Sequence, residues 1–201
     1  QFPQRTERLV LVSSGGLGRE VGPLLRGATL PGASAILWLA AHPRLMTALD
    51  TAGQRLRDRG SAKGALVQAV VRALRPLEEP GARKAFLQTL RSVIDFHGQR
   101  VSAVDRLYLL ARMPTLIVWG ERDNTIPLAH GRAAHDAIPG SRFETLPRAA
   151  HFPHLEDPEG LAEVLRDFLR TTEPELIADS DWGDVVSRRS PRSRRLRSAA
   201  A

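Results

Sequence analysis

Two short apolar runs, Leu9-Val10-Leu11-Val12 and Leu116-Ile117-Val118-Trp119, constrain this chain more than any other feature. Neither alternates with polar residues. An unbroken run closed by turn formers is how a strand buried on both faces reads, and such strands belong to parallel sheets covered by helices. The first run stops at Ser13-Ser14-Gly15-Gly16; the second follows Met113-Pro114 and ends at Gly120-Glu121-Arg122-Asp123. A third, weaker strand is Arg142-Phe143-Glu144-Thr145-Leu146, stopped by Pro147. Between the second and third, Leu128 to Ala137 reads as a helix ending at Ile138-Pro139-Gly140. After the third, Asp157-Pro158-Glu159 opens another helix, with Asp157 as N-cap and Pro158 at the first helical position. Leu161, Val164, Leu165, Phe168 and Leu169 then fall on one face of it. Strand, helix, strand, helix at this spacing predicts parallel strands joined by right-handed crossovers, an α/β sheet.

The stretch between the first two strands, from Leu17 to Leu110, has a different character. It shows no convincing strand, is rich in Ala, Leu and Arg, and places apolar residues three and four apart near Ala65 to Leu74 and Phe86 to Ile94. Pro23, Pro31, Pro43, Pro76 and Pro80 punctuate it at positions suited to helix boundaries. The expected organisation is a core strand in residues 1–16, a helical insertion over 17–110, the rest of the core over 111–172, and a disordered Arg- and Ser-rich tail over 173–201. The tail composition cannot bury enough surface to order itself.

That tail decides how the charge is read. Six arginines between residues 187 and 201 account for all but one of the net charge of +7, so the folded part is nearly neutral and nucleic acid is not an expected partner. There are no cysteines, which excludes disulfides, a thiolate nucleophile and Cys-based metal sites. With no apolar run long enough to span a bilayer and no apolar leader at the N-terminus, a cytoplasmic protein with no membrane partner is expected.

Chemistry is left to Ser, Asp, Glu and His. Asp123 follows the carboxyl end of a buried strand, the edge at which open α/β sheets gather their functional groups. His151 lies in the loop after the next strand, with His154 as a rival three positions on. A carboxylate on one strand-end loop and an imidazole on the next can work as a pair, the Asp orienting the His and stabilising its charged form. Read alone, Asp123 is equally well a turn aspartate that caps local N–H groups.

The segment from Leu116 through Gly120-Glu121-Arg122-Asp123-Asn124-Thr125-Ile126-Pro127 resembles the acid-bearing strand and loop of the α/β-hydrolase family, and His151-Phe152-Pro153-His154-Leu155-Glu156-Asp157-Pro158-Glu159 resembles its histidine loop and following helix. The opening Glu7 to Ser14 resembles the strand after the nucleophile-bearing helix, and the helical insertion sits where that family carries a cap. Ala150 stands where the family usually has Gly, which calls for a slightly different loop backbone because only Gly tolerates positive φ freely. The family places a G-x-S-x-G nucleophile elbow ahead of the acid and the histidine; no such motif occurs in these 201 residues.

The resemblance implies a partial α/β-hydrolase parallel sheet with a helical cap, and a hydrolase whose nucleophile lies upstream, so that this chain alone is expected to be inactive. Asp123 and His151 are the implied acid and base. Ser13, Trp38 and Phe152 are expected to contact a small apolar carbonyl substrate, with an ester, a lactone or a carbon–carbon bond cleaved and no metal or organic cofactor. The cap residues Leu39, Phe86, Ile94 and Phe96 either line the same pocket or pack cap helices together. The alternative is a non-catalytic interaction module whose basic tail binds an acidic partner.

Overall fold

The structure, a computed structural model, describes residues 6–175. In chain order the elements begin with strand β1 (Leu9–Val12), followed by helices α1 (Pro23–Ala28), α2 (Ala33–Ala40), α3 (Pro43–Asp58), α4 (Ala62–Leu74) and α5 (Pro80–Val93). A two-residue strand pair, β2 (Ile94–Asp95) and β3 (Gly98–Gln99), comes next. Then follow β4 (Thr115–Gly120), α6 (Leu128–Ala137), β5 (Arg142–Leu146), α7 (Pro153–Glu156) and α8 (Pro158–Thr171). The chain divides into two compact units: one comprises residues up to Glu20 and from Val101 onward, the other Val21–Arg100. The tail expected to be disordered lies, from residue 176, outside the described residues.

The first unit is built on a three-stranded parallel sheet in the order β1-β4-β5. Leu9 pairs with Thr115 and Val12 with Val118 on one side of β4, while Leu116 pairs with Arg142 and Gly120 with Leu146 on the other. Side chains alternate along a strand, and on β4 both faces are covered. Ile117 and Trp119 pack on one face with Leu17, Leu107, Ile126, Ala134 and Ile138. Leu116 and Val118 pack on the other with Leu146, Ala149, Leu161 and Phe168. All four β4 side chains are fully buried, each worth about 1.5–3 kcal/mol on transfer from water. The central strand therefore reads as a continuous apolar run because it has no solvent face.

Local signals set the helix limits. Asp157 accepts the Gly160 N–H at the start of α8, and Pro158 occupies the first helical position, where a missing N–H costs nothing. Gly131 lets α6 lie close on β4: a Cβ there would come within 2.6 Å of the Trp119 ring. The far end of the sheet is tied to the end of α8. Arg8 donates through Nε to Thr172 Oγ1 (3.0 Å), and the Glu175 N–H donates to the Glu7 carbonyl (3.1 Å).

The second unit is mostly helical. Helices α3 and α4 form a closely packed pair in which a Cβ on Gly64 would meet the Gly53 carbonyl at 2.6 Å, so small residues let the backbones approach. The buried Gln68 accepts from Arg57 and donates to Gln54 across that contact. Val21, Leu90 and Ile94 form a separate core cluster with Leu25 and Ala28 against it. The sequence showed no strand here, yet β2 and β3 pair antiparallel, Ile94 with Gln99. Two residues per strand are too few to leave a periodicity. Among the described residues no helix is long and apolar enough to cross a membrane.

The end of β4 meets the loop before His151 at an unusually close approach. A Cβ on Gly120 would lie 1.9 Å from the Ala150 carbonyl oxygen and 2.6 Å from that of Ala149, both backbone atoms. Gly120→Ala is expected to cost at least about 2 kcal/mol of stability, because overpacking here displaces main chain. Gly27→Ala, with nothing within 4 Å of the new Cβ, is expected to be neutral or slightly stabilising. Urea unfolding of the two variants checks both.

Candidate active site

Each strand of the parallel sheet delivers its loop to the same edge. Beyond Gly120, β4 turns through Glu121 and Arg122, whose N–H groups donate to the carbonyls of Leu146 and Ala149 (both 3.1 Å), lacing the acid loop to the loop that follows β5. The turn puts Asp123 over its own next residues. Its Oδ1 accepts the N–H groups of Thr125 (2.8 Å) and Ile126 (2.9 Å). The turn-capping role and the partnership with His151 are thus filled at once, one by each carboxylate oxygen: Oδ2 takes the hydrogen bond from His151 Nδ1 at 2.9 Å.

The Asp123 side chain is wholly buried and that of His151 is about one fifth exposed (21%). Burial alone would raise the Asp123 carboxyl, but the hydrogen bond from His151 and the N–H groups of Ile126 and Thr125 outweigh it and hold the carboxyl below the usual carboxylate range. A carboxylate at Nδ1 selects the tautomer with the proton on Nδ1. The Nε2 lone pair is then left without a hydrogen bond among the described residues. This is an oriented base with a free acceptor nitrogen.

The histidine loop is held from both sides by a residue that sequence reasoning missed. Glu156, in α7, accepts the N–H groups of Ala150 and Phe152, the two neighbours of His151. Arg148 pairs with Asp157 (2.7 Å), whose carboxyl the guanidinium keeps low. Glu156 lies within the histidine-loop motif, but a carboxylate that folds back onto the preceding loop has no spacing of its own. Ala150, in place of Gly, needs no left-handed backbone: Ser13 is the one non-glycine residue with positive φ among those described.

Phe152 joins Asp123 and His151 at the site. Its ring stands edge-on to the His151 ring with centroids 4.9 Å apart, and it is 41% exposed. His154 is exposed on α7, touches only the Phe152 ring edge among described aromatic contacts, and makes no bond to Asp123. Ser13 sits at the same sheet edge, directly after β1, its N–H donating to the Val118 carbonyl at 3.0 Å. Its φ is +42°, where an L-residue is strained by about 1–2 kcal/mol, and its buried Oγ has no partner among the described residues. The sequence assigned the turn conformations to the neighbouring glycines, and Gly16 does take one, at φ +82°. Trp38 is half exposed on α2 of the helical unit, edge-on to His42. Ile94 is buried in that unit's own core, the packing role rather than a pocket wall. No group of three or more His, Asp or Glu side chains among the described residues could hold a metal ion.

Comparison with known proteins fits this geometry. The family model described as the alpha/beta hydrolase family matches residues 4–164. An uncharacterised protein of Mycobacterium tuberculosis is 39% identical over 179 residues, covering 87% of this chain and 52% of the relative. The 2-hydroxy-6-oxo-6-phenylhexa-2,4-dienoate hydrolase of Delftia acidovorans is 28% identical over 174 residues, covering 84% and 56%. The chain spans about half the length of the curated relatives it matches. A thermophilic esterase from Thermogutta terrifontis shares the fold at a TM-score of 0.56 and 19% identity, covering 85% of this chain and 58% of that one. Sheet order, strand-end placement of the acid and the histidine, and a family match over most of its length show that this chain belongs to the alpha/beta hydrolase family.

Proposed function

We propose that the complete protein is a hydrolase in which Asp123 and His151 activate a nucleophile carried outside these 201 residues. The observation that carries the reading is the 2.9 Å bond from His151 Nδ1 to a buried carboxylate, with Nε2 left open. The absence of a G-x-S-x-G motif here and coverage of about half the length of the relatives support a nucleophile elsewhere in the protein.

In this mechanism the nucleophile, a serine hydroxyl, attacks the substrate carbonyl carbon as His151 Nε2 takes its proton. The imidazolium then donates that proton to the leaving group as the bond to the carbonyl carbon breaks. Water repeats the sequence on the acyl intermediate, giving up a proton to Nε2 and releasing the acid and the free hydroxyl. Asp123 does not take the proton; it fixes the tautomer and stabilises the imidazolium. Phe152 supplies an apolar wall beside the imidazole, suited to an apolar carbonyl substrate. Named relatives include a dienoate hydrolase, and the structural neighbours include an esterase, so the bond cleaved is an ester or an activated carbon–carbon bond.

The decisive experiment measures ester hydrolysis by the complete protein with 4-nitrophenyl butyrate. His151→Ala is expected to abolish turnover, and Asp123→Asn to lower kcat by about four orders of magnitude through the wrong tautomer. Wild-type rates in both variants would overturn the proposal. Glu156→Gln keeps the shape but weakens the hold on the two N–H groups around His151, so kcat is expected to fall about tenfold with KM nearly unchanged; steady-state kinetics separates the two. The depressed Asp123 carboxyl also has a stability signature. Its contribution is fully present above the unfolded value of about 3.9 and is lost as pH falls through the lower folded value, so Asp123→Asn is expected to flatten the acid limb of a stability-against-pH curve. Urea midpoints measured across that limb check this.

A further inference from the structure

Ser13 carries two costs at one position. It is the one non-glycine residue in the left-handed region among those described, at φ +42°, whereas every other positive-φ position is glycine. It is also buried, 6% exposed, with a hydroxyl that finds no hydrogen-bond partner among the described residues. A glycine would remove both costs, and the chain places glycines at the nearby positions 15, 16 and 18. Residues kept in strained backbone with unsatisfied polar groups cluster where function requires the side chain.

Its place in the sheet says which function. Ser13 is the first residue past β1, and its N–H bonds the carbonyl of Val118, two residues before Gly120 on the strand that delivers Asp123. Neighbouring strands lie about 4.8 Å apart, so the end of β1 is one strand spacing from the acid-bearing strand. That spacing corresponds to three or four covalent bonds of a substrate lying across the strand ends. A serine hydroxyl donates one hydrogen bond and has no charge to compete for the proton of His151. Buried away from water, it bonds whatever acceptor a bound molecule brings, and rotation about a single bond aims it.

We propose that Ser13 is a specificity-determining residue whose hydroxyl bonds a second acceptor oxygen, three or four bonds from the scissile carbonyl, on the acyl part of the substrate. The acyl part is chosen because ester, lactone and carbon–carbon cleavage share it. The preferred substrates are then oxo-acyl compounds rather than plain alkanoyl ones. This rests on the hydrolase reading above.

The test uses the complete protein and two esters with the same leaving group, 4-nitrophenyl 4-oxopentanoate and 4-nitrophenyl pentanoate. Wild type is expected to favour the oxo ester. Ser13→Gly and Ser13→Ala are both expected to lower kcat/KM for the oxo ester about ten- to thirtyfold while changing the plain ester less than about threefold. Ser13→Gly is also expected to raise the thermal midpoint, since it relieves the left-handed strain, whereas Ser13→Ala keeps that strain. Equal losses on both esters would make Ser13 merely structural and overturn the proposal. Unchanged ratios would overturn it as well. If wild type hydrolysed neither ester, the hydrolase reading would fall and the Ser13 assignment with it, an outcome distinct from activity without selectivity.

Discussion

Burial of β4 on both faces is the constraint from which the sheet unit follows. Leu116 and Val118 point to one layer and Ile117 and Trp119 to the other, so each layer must supply a helix or loop that closes over them. Helix α8 does so with Leu161 and Phe168 on one side; α6 with Ala134, and the turn at Leu107, do so on the other. Because both edges of β4 are paired in parallel, the loops after all three strands emerge together. The Asp123–His151 contact is a consequence of that convergence.

The precision of the contact comes from backbone, not from side-chain packing. Glu121 and Arg122 lace the acid loop to the carbonyls of Leu146 and Ala149, and Glu156 grips the N–H groups flanking His151. Gly120 permits the approach by lacking a Cβ. A hydrogen-bonded pair built from two separate loops needs such support, since side chains on loops are placed less precisely than those on helices or strands. The same economy appears where the chain leaves the sheet unit. His130 Nε2 bonds Glu20 (2.7 Å), lowering the Glu20 carboxyl, and the ring lies so close to Gly18 that any Cβ there would clash at 2.4 Å.

What was legible in the sequence follows from how local its cause is. The three strands, α6 and the Asp157-Pro158 start of α8 were readable because apolar runs, caps and prolines act within a few residues. The pairing of Asp123 with His151 was readable because both residues follow strand ends at one edge of the sheet. Ser13's positive φ was not, since the chain offers three glycines nearby and the bent residue is one whose N–H bonds a carbonyl more than a hundred residues away, on β4. Glu156 was hidden for a related reason: its partners are backbone groups, which every residue carries. The β2–β3 pair was too short to declare itself.

The pairing of Glu7 with Glu175, and of Arg8 with Thr172, brings two distant stretches of chain together at the start of β1. Asp123 and His151 lie past the opposite ends of the strands, separated from that point by the strand length, at about 3.3 Å per residue. A spectroscopic label attached at Glu175 would therefore sit on the side of the sheet remote from the Asp123–His151 pair and report on the sheet without touching that pair.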